Sequence, residues 1–290
     1  MERTIPPPVR DPHPPRVAPP TGACDAHCHV FGPAHRFPFD PNRTYTPPDA
    51  DFEDLVALQE RLGLSRAVLV QASCHGTDNS AMVDALRRGR GRFAGVAMVN
   101  ESIGDRELAA MHQAGVRGIR FNFVRHLGGA KGTGPILALA HRVAPLGWHV
   151  DLHFDADQIP GYFDLLRRLP TPFIIDHMGR VAAKRGVDQE PFRSLLDLLA
   201  SEERAWVKLS GAERLGQTGE PPYREVVPLA RALIEVAPDR LLWGTDWPHP
   251  NVRHMPDDGD LVDLLADFAP EEETRKRILV DNPERLYDFG

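Results

Sequence analysis

The sequence predicts a single α/β domain with the architecture of a (β/α)8 TIM-type barrel, preceded by an extended proline-rich N-terminal tail. Eight short apolar runs recur along the 290 residues, and each is followed by a segment with helical periodicity. The apolar runs do not alternate with polar residues, which is typical of parallel strands covered by helices on both faces. Eight strand–helix pairs in about 270 residues match a closed barrel of this type.

The predicted strands are short and evenly spaced. They begin near Cys24, Ala67, Phe93, Val116, Trp148, Phe173, Trp206 and Leu241. Helical periodicity predicts helices over residues 52–62, 80–88, 106–113, 135–144, 158–169, 192–200, 223–236, 260–268 and 271–279. An open doubly wound sheet is the alternative, but such sheets usually have fewer strands, and no G-x-G-x-x-G motif follows the first strand. The barrel is therefore favoured.

Residues 1–21 have a different composition from the rest of the chain. Prolines occupy positions 6, 7, 8, 12, 14, 15, 19 and 20. A segment of this kind favours extended or disordered conformations. We therefore expect residues 1–21 to be disordered or to wrap over the surface, and residues 22–290 to form the barrel.

Composition excludes several classes of protein. The 34 Lys and Arg residues are outnumbered by 41 Asp and Glu residues, and this net charge of −7 argues against nucleic-acid binding. No run approaches 18 apolar residues, so no membrane span is expected. Cys24, Cys28 and Cys74 are too few for a disulfide framework. These features predict a cytoplasmic protein and leave its oligomeric state open.

Titratable side chains lie at the ends of seven of the eight predicted strands, where the active sites of barrels form. They include Asp25, His27, His29, His75, Arg120, Arg125, His126, Asp151, His153, Asp176, His177, Arg180, Lys208, Arg214, Asp246 and His249. Burying such groups without partners costs several kcal/mol each, roughly 2–7. Their shared position therefore indicates a catalytic mouth.

The pair His27-x-His29 is the most specific local indication of a functional site. Alternate residues of a strand face the same side, so both imidazoles can converge on one point. Taken alone, the pair could equally be two polar side chains that are satisfied within the fold. His153, His177 and Asp246 at later strand ends favour a shared functional site instead.

Three stretches of sequence resemble the amidohydrolase superfamily, of the amidohydrolase 2 type. They read CDAHCHVFGP from Cys24, RTYTPPDA from Arg43 and WGTDWPHP from Trp243. Within the superfamily they are most similar to the branch that contains 2-pyrone-4,6-dicarboxylate lactonase. The ending DNPERLY from Asp281 is similar to that branch as well. The resemblance covers residues 22–290.

This resemblance implies a barrel that hydrolyses esters, lactones or amides, with a decarboxylase branch beside them. It implies that Asp246 is the general base that activates water. It also implies that His27 and His29 either bind a metal or contact the substrate, and that His177 is the histidine of the sixth strand.

The resemblance further implies a set of substrate contacts. Arg120 and Arg214 correspond to arginines that hold carboxylates, and Tyr45 and Ser73 to further contacts. Arg125 also lies near a predicted strand end. A guanidinium pairs with a carboxylate through two hydrogen bonds and keeps its charge when buried. We therefore expect a small di- or polycarboxylate substrate, although surface ion pairs would explain most of the other basic residues.

Two states of the metal site are compatible with the resemblance. The pyrone-dicarboxylate branch is regarded as metal-independent and would need no cofactor. The metal-dependent members add a histidine on the fifth strand, where this sequence has His153. One divalent ion such as Zn²⁺ could then be held by His27, His29, His153 and Asp246. Because the fourth strand offers Arg120 in place of a lysine ligand, no two-metal site is expected.

The expected function is therefore the hydrolytic opening of a small anionic lactone, with 2-pyrone-4,6-dicarboxylate as the leading example. One alternative is a metal-dependent hydrolase of another lactone, such as a sulfomuconolactone or a sugar lactone. Another is a metal-dependent decarboxylase. A barrel that only binds an organic anion is the least favoured alternative, because the His and Asp positions of the site are filled.

Overall fold

Eight parallel strands form one sheet, in the computed structural model that describes residues 4–124, 134–217 and 220–289. The strands are β1 Cys24–Cys28, β2 Arg66–Val70, β3 Phe93–Ala97, β4 Val116–Asn122, β5 His149–His153, β6 Phe173–Ile175, β7 Ala205–Leu209 and β8 Leu241–Trp243. Each strand pairs in parallel with the next along the chain. The predicted single barrel is confirmed.

Helices follow the strands as the periodicity predicted. They are α1 Phe52–Leu62, α2 Ser80–Gly89, α3 Asp105–Gln113, α4 Gly134–Val143, α5 Phe163–Arg167, α6 Glu190–Ser201, α7 Ala212–Leu215, α8 Val227–Val236, α9 Asp258–Phe268, α10 Glu272–Lys276 and α11 Asn282–Tyr287. The segment predicted as one helix over 158–169 begins instead with a 3₁₀ helix, Ala156–Tyr162. Pro160 within it lacks the N–H that a continuous α-helix requires.

The first helix shows how local sequence sets its bounds. The Asp51 carboxylate accepts from the backbone N–H of Asp54, and the Asp54 carboxylate accepts from that of Asp51, which caps the amino end of α1. Gly63, with φ of 75°, ends the helix in the left-handed conformation that glycine adopts most easily. Leu55 and Leu62 on its inner face are buried against the sheet.

The apolar core lies in two layers. The larger layer fills the space between strands and helices. The smaller layer lies inside the barrel and consists of Cys24, Ala26, Val68, Val70, Ala94, Val96, Ile174, Trp206, Leu242 and Tyr287. Charged residues also lie inside the barrel, because Asp151 and Lys208 are fully buried on β5 and β7. Polar groups are therefore found in the barrel interior as well as at the strand ends.

The chain after β8 runs beside β1 and brings the two ends of the sheet together. The backbone N–H of His29 donates to Trp247 O at 2.8 Å, and that of Asp246 donates to His27 O at 2.8 Å. Gly244 makes this approach possible, because a Cβ there would lie 2.5 Å from the backbone nitrogen of His27. The contact places the Asp246 side chain next to the histidines of β1.

Residues 4–22 precede the barrel with no helix or strand of their own, apart from one β-bridge between Thr4 and Thr46. The backbone N–H of His13 donates to the carboxylate of Asp257 at 3.2 Å. Arg16 pairs with Asp263 on α9 at 2.7 Å. These contacts hold the segment against the start of α9.

Several residues predicted at strand ends lie elsewhere or outside the described ranges. Ser73, Cys74 and His75 were expected at the end of a strand, but they form a 3₁₀ turn after β2. Arg125 and His126 lie outside the described residues. None of the helices in the described ranges combines the length and the apolar character that crossing a bilayer requires.

Asn282 links α11 to the base of β8 and offers a test of this architecture. Its buried Nδ2 donates to Leu241 O at 2.8 Å and to Pro238 O at 2.9 Å. Asn282→Ala should lower the free energy of unfolding by about 1–3 kcal/mol, because the buried Leu241 carbonyl and the partly buried Pro238 carbonyl lose their donor. Urea denaturation followed by circular dichroism would measure this loss.

The neighbouring Asp281→Ala is the matched control, because the Asp281 side chain is half-exposed and pairs with the exposed Lys276. Its effect should stay within about 0.5 kcal/mol. Equal losses in the two variants would contradict the role given to Asn282.

Candidate active site

Three imidazoles point at one carboxylate oxygen where the strands end. His29 Nε2 lies 3.1 Å from Asp246 Oδ1, His27 Nε2 lies 3.5 Å from it, and His177 Nε2 lies 4.0 Å from it. The histidines come from the end of β1 and from the turn after β6, whereas Asp246 follows β8. The four side chains are separated by up to 219 residues along the chain (246 − 27) and are all buried.

The other oxygen of Asp246 is held by a guanidinium group. Arg214 pairs with Asp246 Oδ2, donates to Pro250 O at 2.7 Å, and lies with its Nε 3.0 Å from Glu213 Oε1. Burial alone would raise the pKa of Asp246, but the charge of Arg214 beside it holds that pKa well below the usual range. Asp246 is therefore ionised at neutral pH, as a general base must be.

The backbone at the site is held in unusual conformations. Asp246 has φ of 65° and His177 has φ of 51°, in the left-handed region that side chains other than glycine rarely adopt. Each such residue costs on the order of 1–3 kcal/mol, which the surrounding structure must offset. Gly211 packs against His177 so closely that a Cβ there would lie 3.0 Å from its Cβ atom.

His27, His153 and His177 are neutral at physiological pH. Burial, with Lys208 nearby, lowers the pKa of His27 to about 4. Burial also lowers the pKa values of His177 and His153 well below the usual range, in the second case with help from the charge of Arg120. Neutral imidazoles can donate one hydrogen bond and accept another.

A layer of paired charges lies beneath the histidines. Lys208 Nζ is 2.5 Å from Asp151 Oδ2 and 3.3 Å from Asp176 Oδ1, and Arg120 lies 3.1 Å from Asp176 Oδ2. Two cations thus face two carboxylates; Lys208, Asp151 and Asp176 are fully buried, and Arg120 reaches up to the cavity. The sequence placed Lys208 and Asp176 at strand ends but gave them no role; a lysine within the apolar run of β7 was the available signal.

Most of the residues that the sequence proposed for the site line one cavity at the mouth of the barrel. Its lining includes His29, Tyr45, Ser73, Arg120, His153, His177, Arg180, Arg214, Asp246 and Asn251. His27 lies just below this lining, and Arg125 is outside the described residues. Asn251 also lines the cavity but was not predicted as a site residue. It follows the Trp-Pro-His-Pro motif and has no chemistry that would single it out.

The cavity carries a strong positive charge on one wall. Three guanidinium groups face it, from Arg120, Arg180 and Arg214. The Tyr45 hydroxyl is hydrogen-bonded to Ser73, and burial raises its pKa well above the usual range, so it stays a neutral donor. Guanidinium groups and hydroxyls together suit a ligand with more than one carboxylate.

The four residues predicted to bind a single metal ion do not all lie close enough together to share one. Within the described parts of the chain, the groups of three whose ligand atoms lie within 4.8 Å are His27, His29, Asp246 and His27, Asp176, His177. His153 belongs to neither, because its Nδ1 lies 3.1 Å from Arg120 and its Nε2 lies 3.5 Å from Arg180. Guanidinium donors, rather than a metal ion, therefore face both nitrogens of its ring.

His27 is also poorly disposed towards a metal. Its Nδ1 lies 3.2 Å from the Lys208 ammonium, which can only donate, and this fixed positive charge disfavours a second cation on the same ring. His29 differs, because its Nδ1 donates to Val70 O at 2.7 Å and leaves Nε2 directed at Asp246 Oδ1. Of the predicted ligands, only His29 and Asp246 therefore fit a divalent ion.

Comparison with known proteins agrees with this geometry. The amidohydrolase family profile matches residues 24–289. A 2-pyrone-4,6-dicarboxylate hydrolase of Comamonas testosteroni is 50% identical over 285 residues, which cover 96% of this chain and 93% of the relative. A 4-sulfomuconolactone hydrolase of Hydrogenophaga intermedia is 45% identical over 279 residues, covering 95% and 91% of the two chains.

A solved structure shows the same architecture. A probable 2-pyrone-4,6-dicarboxylic acid hydrolase of Acinetobacter baumannii, with citric acid bound, superposes with a TM-score of 0.81 at 26% identity, over 93% of this chain and 100% of that one. The barrel, the histidines at the ends of its strands and the match over nearly the whole sequence lead to one conclusion. The chain belongs to the amidohydrolase family.

Proposed function

We propose that this protein hydrolyses the ring ester of a small anionic lactone, with 2-pyrone-4,6-dicarboxylate as the leading substrate. The observation that carries the proposal is an ionised Asp246 facing three imidazoles in a cavity with three guanidinium groups. The relative from C. testosteroni, 50% identical, is named for that substrate. Citric acid bound to the A. baumannii protein shows that a similar barrel accepts a polycarboxylate.

In the proposed reaction, Asp246 accepts a proton from a water molecule as the water oxygen attacks the lactone carbonyl carbon. The carbonyl electron pair moves onto its oxygen, where N–H groups of the imidazoles stabilise the negative charge. When the pair returns, the bond to the ring oxygen breaks. That oxygen takes the proton from Asp246, which restores the ionised base, and the new carboxylic acid then releases its proton to solvent as a carboxylate.

The remaining residues of the cavity position the substrate. Arg120 and Arg180 enter it from β4 and from the turn after β6, and we assign them to the substrate carboxylates. Tyr45 and Ser73 supply hydroxyl donors on the facing wall. We keep Arg125 as a proposed contact on the basis of the sequence alone.

A sulfonated lactone is a second candidate substrate. The relative from H. intermedia is named for 4-sulfomuconolactone and is 45% identical to this chain. Guanidinium groups pair with sulfonate as well as with carboxylate oxygens, so the same arginine wall suits both anions. Comparing kcat/KM for the two lactones would rank them.

Residues 1–21 have a structural role in this proposal. We propose that they form an arm on the barrel of residues 22–290, supported by the contacts of His13 and Arg16 with acidic residues at the start of α9. We also propose a cytoplasmic location, supported by three buried cysteines that form no disulfide.

Asp246→Asn tests the general base. The amide can still accept from Arg214 but takes no proton from water, so kcat should fall by about 100- to 10,000-fold. The loss of the pyrone ultraviolet absorbance would measure turnover, and circular dichroism would check folding. A variant that keeps more than a tenth of the activity would refute the assignment.

Arg214→Met tests what holds Asp246 ionised. Without this guanidinium the pKa of Asp246 should rise, and because activity needs the ionised form, the acidic limb of the pH–kcat profile should move to higher pH. Arg180→Met is the matched control, since Arg180 lines the cavity and has its own partner in Asp155. It should raise KM and move the acidic limb less than Arg214→Met does, because Arg180 makes no direct ion pair with Asp246 among the described residues; equal shifts in both variants would contradict the assignment.

Chelation tests the need for a metal. Because His153 faces two guanidinium groups and His27 faces an ammonium, we expect turnover of pyrone dicarboxylate to survive prolonged treatment with EDTA. Elemental analysis should then show no stoichiometric zinc. Activity that disappears on chelation and returns with Zn²⁺ would support a metal-dependent hydrolase instead.

A further inference from the structure

Lys208 is a fully buried cation that lies below the cavity and does not line it. Its side chain extends from β7 into the barrel interior, below the histidines. A buried ammonium is costly unless it is paired and hydrogen-bonded. Asp151 at 2.5 Å and Asp176 at 3.3 Å compensate its charge. Its third neighbour is His27 Nδ1 at 3.2 Å, and this contact is not needed for charge balance.

The contact with His27 has a chemical consequence. An ammonium offers three donors and no acceptor, and a neutral imidazole has one donor nitrogen and one acceptor nitrogen. His27 Nδ1 must therefore accept from Lys208, which leaves the ring proton on Nε2. Asp176 Oδ1, 3.3 Å from the same Nδ1, is the competing acceptor, but it also lies 3.3 Å from the Lys208 ammonium, which faces it with a donor of its own.

His27 Nε2 faces the reaction space. It lies 3.5 Å from Asp246 Oδ1, and within the described ranges it has no hydrogen-bond partner although it is fully buried. The neighbouring His177 ring is centred 4.7 Å away. A buried N–H without a partner in the protein is suited to donate to an oxygen of the substrate. In the proposed reaction this is the lactone carbonyl oxygen, which becomes negative when the water activated by Asp246 attacks the carbonyl carbon.

We propose that Lys208 is a positioning residue that fixes His27 as its Nε2–H tautomer. In this form His27 donates a hydrogen bond to the lactone carbonyl oxygen and has no lone pair for a metal ion at Nε2. The part of the inference that concerns the carbonyl rests on the proposed function. The tautomer itself follows from the contacts of Lys208 and can be tested without any substrate.

Without Lys208, His27 has a different partner. Asp176 Oδ1, 3.3 Å away, becomes the neighbour of Nδ1 and accepts its proton. Nε2 then carries a lone pair directed at the space between His29 and Asp246, whose ligand atoms already lie within 4.8 Å of it. Removal of one ammonium should thus weaken catalysis and create a metal site in the same step.

The first test is spectroscopic and uses the full-length wild-type protein. Long-range ¹H–¹⁵N correlation spectra of the histidine rings report which nitrogen carries the proton, and His27→Gln identifies the signals of His27. We expect His27 to be protonated at Nε2 at neutral pH. A proton on Nδ1, or a metal on Nε2 of the protein as purified, would overturn the inference.

The second test uses Lys208→Met, which keeps the length of the side chain without its charge. Its kcat should fall by about 100- to 1,000-fold, the loss typical of removing one oxyanion donor, with little change in KM. Zn²⁺ affinity, measured by competition with a chromophoric chelator, should rise by about 10-fold or more, because the orientation of a ligand's second nitrogen has effects of that size.

Two further variants control for folding and for charge. Lys208→Met combined with Asp151→Asn removes one cation and one carboxylate together and should show the same gain in Zn²⁺ affinity. Lys276→Met, on an exposed ion pair with Asp281, should match the wild type in both measurements. An Nε2 proton and unchanged Zn²⁺ affinity in folded Lys208→Met would refute the role of Lys208. A wild-type enzyme that opens no lactone but shows the Nε2–H tautomer would refute only the proposed function.

Discussion

The seam between the two ends of the sheet is the constraint on which the site depends. Two backbone hydrogen bonds join the chain after β8 to β1, and they place Asp246 beside the histidines that β1 carries. Gly244 is the residue that lets the two segments approach. The left-handed backbone at Asp246 is sustained by the same contacts. A displacement of this seam would carry the carboxylate away from the imidazoles, because the two backbone hydrogen bonds involve Asp246 itself and its neighbour Trp247.

Charge balance is the second organising feature. The barrel interior holds cations and carboxylates in pairs, and each pair that loses a member leaves a buried charge uncompensated. Lys208 with Asp151, Arg120 with Asp176, and Arg214 with Asp246 are the pairs nearest the site. This arrangement keeps Asp246 ionised while the burial of His27 and His177 keeps those imidazoles neutral. One cavity therefore offers a base and hydrogen-bond donors at the same pH.

The arginines explain why a lactone with acidic substituents suits this barrel better than a neutral one. Arg120 pairs with Asp176, and Arg214 pairs with Asp246 and Glu213, yet both arginines also line the cavity. A substrate carboxylate would add to these interactions rather than replace them, since a guanidinium has five donors. The wall can thus attract an anion without leaving an unpaired charge in the free protein.

The sequence by itself determined the architecture and the family. Eight apolar runs located the start of every strand to within one residue, and the H-x-H and T-D-W-P motifs located His27, His29 and Asp246. These features are local, so they can be seen in a single chain. The partners of His153 and the position of Lys208 were decided only by the tertiary structure. Which side chains meet across a barrel depends on strand register and tilt, and neither can be read from local sequence.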